Sequence, residues 1–585
     1  MKKVDLVLFT LLLATMALAQ EQAVPDSQVI DRFIAREQLL VQNLHNFSPL
    51  VETYVQYMRP DAELGSVPEK DEYFLGRMKL SKAITEASYT EKQGRTKRVL
   101  GVFGGMFTVK FAPEGFDGLI LVDGEHFDRA HYGFTFVRRE FLGDIRTMVY
   151  DVKPAKGSKA GFLGRIWVED QEYNIVRFNG THEAPGMFKY NFHFDSWRQN
   201  VRPGLWLPTL VYNEESDMKY AMFRTLRFKS QTRLWGYDPK FAGYEDELTR
   251  IKVESKTGAQ DHSQTAEEYS PLQSQRMFEG EAEQNVIERL ERAGLIAPKG
   301  EVDKVLNTVV NNLEVTNNLD IEPEVQCRVL LTSPLESFTV GHTIVLSRGL
   351  IDTLPDEASL AAVLSRELAH IALGHRLNTK YAFSDRMLFS DPETLQKMRL
   401  RRAEHEEDEA DTKAIAFLKA SPYSAKLGNA GLFLRQLQAR AGSLPNLTTP
   451  RLGNPLIHGN TVSMAGLAAS APELQMQRTE QVAALPLGAR VKLDPWSSSI
   501  EMVKARPLPL LSAREKMPFE VTPLRPYLKR QVSEGESATA PENSPAPETA
   551  PATVSPAGAP GGSVSVPAAA QSSINMSPLL QVKRP

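Results

Sequence analysis

The sequence predicts a multidomain α+β protein. An antiparallel, curved β-sheet of half-barrel type comes first, a mainly helical domain follows, and a disordered tail ends the chain. Three observations predict this. Short runs rich in Val, Ile, Phe, Tyr and Trp, bounded by Gly, Asp, Pro and Asn, fill residues 95–254. Apolar stripes at helical spacing recur through residues 281–490. From Gln531 to Pro585 there is no aromatic residue, and nine of the 37 prolines fall there. Such a segment cannot offset its ordering entropy by burial.

Composition narrows the function classes. The chain has 585 residues, 42% hydrophobic and 24% charged, enough for two to four domains at roughly 100–200 residues each. Lys plus Arg is 68 against 72 Asp plus Glu, a net charge of −4. No broad basic surface exists for a phosphate backbone, so nucleic acid is not an expected partner. Cys327 is the single cysteine, which excludes intrachain disulfides and Cys-rich metal frameworks. Any metal must be held by His and carboxylates.

At the N-terminus, Lys2 and Lys3 precede an apolar run from Leu6 to Leu18, and Ala17-Leu18-Ala19 stands before Gln20. This reads as a cleavable secretory signal peptide over residues 1–19, since spanning a bilayer needs about 20 apolar residues. With no Cys beside the cleavage site, no lipoprotein acyl anchor is expected. The mature protein is expected in the periplasm or cell envelope, with peripheral membrane contact at most.

Residues 20–94 are expected to form a helical segment, because Val29, Ile30, Phe33, Ile34, Leu39, Leu40 and Leu44 recur at mostly helical spacing between Ser27 and Met58. Strands are expected at Gly118–Asp123, Gly133–Leu142, Asp144–Val152, Phe162–Glu169, Tyr173–Gly180, Phe188–Trp197, Leu205–Tyr212 and Ala221–Phe228. Their order, with Phe162–Asp170 turning into Tyr173–Phe178, resembles the periplasmic carrier domains of LolA and RseB type. The resemblance implies an open half-barrel able to hold an acyl chain, a lipoprotein or a lipidated peptide. A sheet packed for structure alone is the alternative. Polar residues make 255–280 a linker. Val302, Val305, Leu306, Val309, Val310 and Leu313 form a helical stripe, and Val325–Leu331 and Thr343–Leu346 read as strands. Residues 491–530 form a C-terminal extension before the tail.

The informative segment runs from Leu354 to His375. Asp356 is a good N-cap, and Leu360, Val363, Leu364, Leu368, Ile371 and Ala372 are core-spaced, so the segment reads as a buried helix. Glu367 falls within that stripe, where a carboxylate needs a partner or a job. Set against the zinc-peptidase motif His-Glu-x-x-His, Glu367 and His370 are in register, but Arg366 stands where the first His belongs. The motif needs its spacing so that two imidazoles one turn apart reach one zinc while the Glu reaches the metal-bound water. Downstream, Glu404–Asp411 contains Glu407 and Asp411 in a Glu-x-x-Ala-Asp pattern on a second expected helix.

Together these segments resemble peptidase family M48, the zincin-like zinc metalloendopeptidases of HtpX, Oma and BepA type, over roughly Glu301 to Leu485. Glu336-Ser337-Phe338 and Thr343–Leu350 before the helix and Gly374-His375 after it support the resemblance. It implies zinc as cofactor, Glu367 as general base, His370 and Glu407 as ligands, and Asp411 as the residue orienting a ligand. It makes Thr343, Ile344, Val345 and Leu346 an edge strand to which extended polypeptide adds. Ser470-Ala471-Pro472 with Arg478 resembles the family's His-Pro segment and its downstream Arg, but Ala471 replaces the His expected near the reacting carbonyl.

An Arg stays protonated and cannot bind zinc. His375, at i+5 from His370, is expected about 140° round the helix, and His405 about 200° round from Glu407, so neither replaces the missing ligand. Without metal, Glu367 is a buried ion-pair member, His370 a satisfied core histidine, and Arg366 a substitute for the ion, paired with Glu407 or Asp411. Two classes therefore stand: a secreted metallopeptidase with an altered ligand set, and a non-catalytic binder of peptides, lipids or envelope proteins in quality control.

Overall fold

A computed structural model describes residues 26–61, 65–80, 84–88, 117–157, 161–182, 193–220, 224–237, 271–375, 377, 398–475, 491–494, 499–502 and 526–531. The expected signal peptide, the tail beyond Gln531 and Arg478 lie outside them. Among the described residues no helix is long and apolar enough to cross a membrane.

The N-terminal half is one ten-stranded open sheet. Its strands are β1 (Leu50–Asp61), β2 (Gly65–Leu80), β3 (Ile84–Ser88), β4 (Tyr132–Leu142), β5 (Ile145–Pro154), β6 (Phe162–Glu169), β7 (Ile175–His182), β8 (His193–Arg202), β9 (Leu205–Tyr220) and β10 (Arg224–Trp235). The order is β3-β2-β1-β10-β9-β8-β7-β6-β5-β4, with antiparallel pairing throughout. The α+β class and the antiparallel sheet expected from sequence are present. All the expected strands but the first appear; Asp117–Ile120 is a short 3-10 turn instead.

The helical reading of residues 20–94 needs correction. Helix α1 covers Asp26–Asn43, and the chain then enters β1, β2 and β3. Residues 50–58 are rich in Val, Thr and Tyr, which suit a pleated surface, and they alternate between the two faces of the sheet. Val51 and Val55 join the core on one face with Val29, Ile30 and Phe33 of α1. Leu50 and Tyr54 point the other way, into the core of the helical half. Leu39, counted in the helical stripe, is 45% exposed.

Helix α1 thus fills the inner face of the sheet, where Phe33 meets Phe127, Phe134 and Tyr150. It is fixed there by a fully buried ion pair: Arg198 donates from Nη1 to Glu37 Oε2 (2.6 Å) and from Nη2 to Glu37 Oε1 (2.7 Å). The outer face carries a second cluster with Ile145, Val149, Trp167, Trp197, Trp206 and Leu210. The strand alternation explains both faces: Val211 faces α1, while its neighbours Leu210 and Tyr212 face outward.

Helix α2 (Pro271–Arg292) begins inside the stretch read as linker, and α3 (Glu301–Thr316) follows. A three-stranded sheet comes next, with β11 (Gln326–Leu330), β12 (Ser337–Val340) and β13 (Thr343–Ser347) in the order β11-β13-β12. Thr343–Leu346 is therefore the central strand, paired with β11 in parallel and β12 in antiparallel. The edge-strand expectation is wrong because both hydrogen-bonding sides of β13 are taken, so no peptide can add there. The remaining helices are α4 (Arg348–Thr353), α5 (Glu357–Ala372), α6 (Glu404–Lys419), α7 (Leu427–Ala441), α8 (Pro445–Thr448) and α9 (Ala465–Ser470), with a small hairpin of β14 (Ile457–His458) and β15 (Thr461–Val462).

Buried polar contacts join sheet and helices. Glu52 Oε1 of β1 accepts from Ser333 N (2.6 Å) and Tyr73 Oη (2.9 Å), while its Oε2 accepts from Ser333 Oγ (3.0 Å) and pairs with Arg233. Asp71 Oδ2 accepts from Leu447 N (2.8 Å), and Trp235 Nε1 donates to Gly294 O (2.9 Å).

Candidate functional site

Helix α5 is built as its sequence demands. Asp356 caps it by accepting from Ser359 N (2.9 Å), and its apolar stripe is buried. Because the stripe wraps most of the helix, three polar side chains are carried into the interior: Arg366, Glu367 and His370 are each 1% exposed. Helix α6 crosses α5 with its narrow apolar face of Ala410, Ala414, Phe417 and Leu418 inward, and Glu407 shares that face although its acidic neighbours are solvated.

Arg366 lies between the two carboxylates of α6. Its Nε donates to Asp411 Oδ1 (2.9 Å), and its Nη2 pairs with Glu407 Oε2. Asp411 Oδ2 accepts from Met464 N (2.5 Å), tying the loop after β15 to the same group. Glu367 turns toward the small sheet, where Ser337 Oγ donates to its Oε1 and Thr339 Oγ1 to its Oε2, both at 2.8 Å. Arg366 Nη1 stands 3.6 Å from Glu367 Oε1. His370 Nε2 is 3.6 Å from Glu407 Oε1.

The expected position of His375 is corrected by the helix end. Helix α5 stops at Ala372, and Gly374 takes a left-handed φ of +69°, which reverses the chain. His375 therefore returns to His370, with their Nδ1 atoms 2.9 Å apart, and its Nε2 lies 3.3 Å from Glu409 Oε2. Counting 100° per residue fails once the helix has ended. His405 is exposed, as its spacing implied.

Electrostatics follow from this packing. Burial, with the positive charges of Arg402 and Arg366 and the His375 ring added, pushes the His370 imidazole down to about 2. It is neutral at physiological pH, so one of the two facing Nδ1 atoms donates to the other. Arg402 reaches Thr339 O (3.3 Å) and His375 O (3.4 Å). Sequence reasoning missed Arg402; its only signal is a basic pair immediately before the acidic helix. It missed His458 as well, whose imidazole is pushed down by partial burial and by Arg366. Ala471 packs against Gly431 of α7 and offers no donor beyond its backbone.

Residues 299–427 match the model of Peptidase family M48. The matched segment begins just before α3 and ends at the start of α7, enclosing α5 and α6, and is similar to a metallopeptidase-family domain. Peptidases of the M48 family are generally zinc metalloproteases. A solved LolA superfamily protein from Nitrosomonas europaea aligns with 37% of this chain and 93% of its own length, at 11% identity and a TM-score of 0.18. Comparison with curated proteins finds no match.

The residues of this M48 segment do not fit a resident zinc ion. A guanidinium with fixed positive charge occupies the place of the first ligand and engages both Glu407 and Asp411. A second, Arg402, lies close enough to depress His370 further. Among the described residues no group of three or more His, Cys, Asp or Glu side chains is disposed to hold a metal.

Proposed function

We propose that this protein is a secreted, non-catalytic M48-family protein that binds polypeptides of the cell envelope and does not hydrolyse them. One observation carries the reading: Arg366 pairs with Glu407 and Asp411, so its charge does internally what a metal ion does in a working peptidase. A buried carboxylate group of this kind is costly without a counter-ion, and here the counter-ion is covalently part of the helix. Glu367 supports the same reading. Both its oxygens accept from hydroxyls of β12, which hold the carboxylate against the sheet and compete with any water it would have to activate.

This reading assigns no acyl chain to the inner face of the sheet, since α1 fills it. Polypeptide is the partner class that remains, met at the surfaces of the sheet and the helices.

The test is metal content by mass spectrometry together with casein cleavage, on full-length protein recovered from the extracytoplasmic fraction. Zinc far below one equivalent and no cleavage are expected, with a mature N-terminus at Gln20. Stoichiometric zinc and cleavage that are both lost in Glu407→Gln would overturn the reading.

A further inference from the structure

Pro526–Gln531, the end of the C-terminal extension and the first residue of the stretch read as tail, lie on the outer face of the sheet. Leu528 is 1% exposed and sits among Ile145, Val149, Trp167, Trp197 and Trp206. Around it the contacts are polar. Asp144 N donates to Leu528 O (2.9 Å), Asn200 Oδ1 accepts from Gln531 N (2.7 Å), Tyr527 Oη donates to Asp144, and Arg530 pairs with Glu169 and lies 4.0 Å from Asp170.

We propose that this end of the sheet is a peptide-binding site whose occupant is the chain's own segment Pro526–Gln531, held as a releasable ligand and not as an integral part of the fold. The class of ligand it takes is an extended peptide with an aromatic residue, a leucine and an arginine two residues beyond it.

Three features support this. The segment pairs as no strand; besides the burial of Leu528, its hold comes from a few contacts on three separate hairpins, at Asp144, at Glu169 with Asp170, and at Asn200. Two of those points, Glu169 and Asn200, are organised without it. Glu169 already accepts from Gln171 N (2.9 Å), Glu172 N (3.0 Å) and Asn174 N (2.9 Å), and Asn200 Nδ2 donates to Arg202 O (2.7 Å) and Leu205 O (3.1 Å). A preformed receptor of this kind spends little ordering entropy on binding. The charge is complementary, since the receptor presents Asp144, Glu169 and Asp170 to a segment carrying Lys529 and Arg530. Arg177 lies between the rings of Trp167 and Trp197, at 4.2 and 4.5 Å from their centroids, and stiffens the wall against which Leu528 packs.

The test uses full-length protein and a fluorescein-labelled synthetic peptide of residues 526–531. In the variant Leu528→Asp with Arg530→Glu the built-in ligand is disabled and every receptor residue is intact. The peptide should bind this variant, bind the parent at least about tenfold more weakly because the tethered copy competes, and fail to bind either protein when its own leucine is replaced by aspartate. Tryptophan emission of the variant should return to the parent's on saturation with peptide. No binding to the variant, equal binding to both proteins, or a variant that unfolds and is not rescued by peptide would overturn the proposal.

Discussion

Arg366 on α5 and Asp411 on α6 are joined by an Nε to Oδ1 hydrogen bond of 2.9 Å, and the guanidinium that makes it is 1% exposed. The two helices of the site are therefore held by an internal cation. Removing it leaves Glu407 without its partner in a place water barely reaches. Arg366→Ala should lower stability by about 3–5 kcal/mol, measured by urea unfolding. A loss under about 1 kcal/mol would mean that the pair is not buried as described.

Introducing an imidazole tests whether the site has the spacing that zinc binding needs. Arg366→His places a ligand at i−4 from His370 and leaves Glu367 and Glu407 unchanged. The variant should hold zinc near one equivalent where the parent holds little. Casein cleavage should stay slow, because Ala471 gives no side-chain donor and one such donor is typically worth about 100- to 1,000-fold in rate. Mass spectrometry on both proteins decides; a variant that stays zinc-free shows that the pocket has closed.

Much of this site was legible in the sequence and part of it was not, for identifiable reasons. Asp356 as cap and Glu367 inside an apolar stripe are local facts of periodicity, and the pairing of Arg366 with Glu407 or Asp411 follows from charge balance. The spacing argument misplaces His375 because the helix ends at Ala372, three residues before it. Thr343–Leu346 reads as a strand, but its rank in the sheet depends on where β11 and β12 pair, which no local pattern encodes. The strands β4–β10 are legible through their turn residues. β1 was read as helix because it follows a helical stripe and sends apolar residues to both faces. The docking of Leu528 has no sequence signal, since it depends on an outward cluster contributed by five strands.

Glu336 gives a pH signature. Burial, opposed by the Arg451 N–H and by nearby arginines, pushes its carboxyl up to about 7. The folded state therefore holds this proton more tightly than the unfolded chain. Its contribution is fully present below about pH 4.5 and is lost as pH rises toward 7, costing up to about 3 kcal/mol. Glu336→Gln should flatten that fall in urea midpoints measured from pH 5 to 8. A parallel pH profile in parent and variant would refute the assignment.

Gly143 turns the β4–β5 hairpin with a φ of +67°, and a Cβ there would come within 2.5 Å of the Leu528 backbone. Gly143→Ala should cost about 1–2 kcal/mol in left-handed strain alone. It should also push Leu528 off the tryptophans, shifting their emission to the red. Parent-like emission would contradict the close approach.

Glu52 sits on a strand of the sheet yet satisfies the backbone of Ser333, which leads into the strand that holds Glu367. The consequence is one of inheritance. A sheet taken from a relative and grafted onto this helical half would leave Ser333 facing the wrong chemistry, and the reverse graft would do the same to Glu52 and Arg233. The two halves can be exchanged only together, and substitutions at positions 52, 233 and 333 should travel as a set through descent.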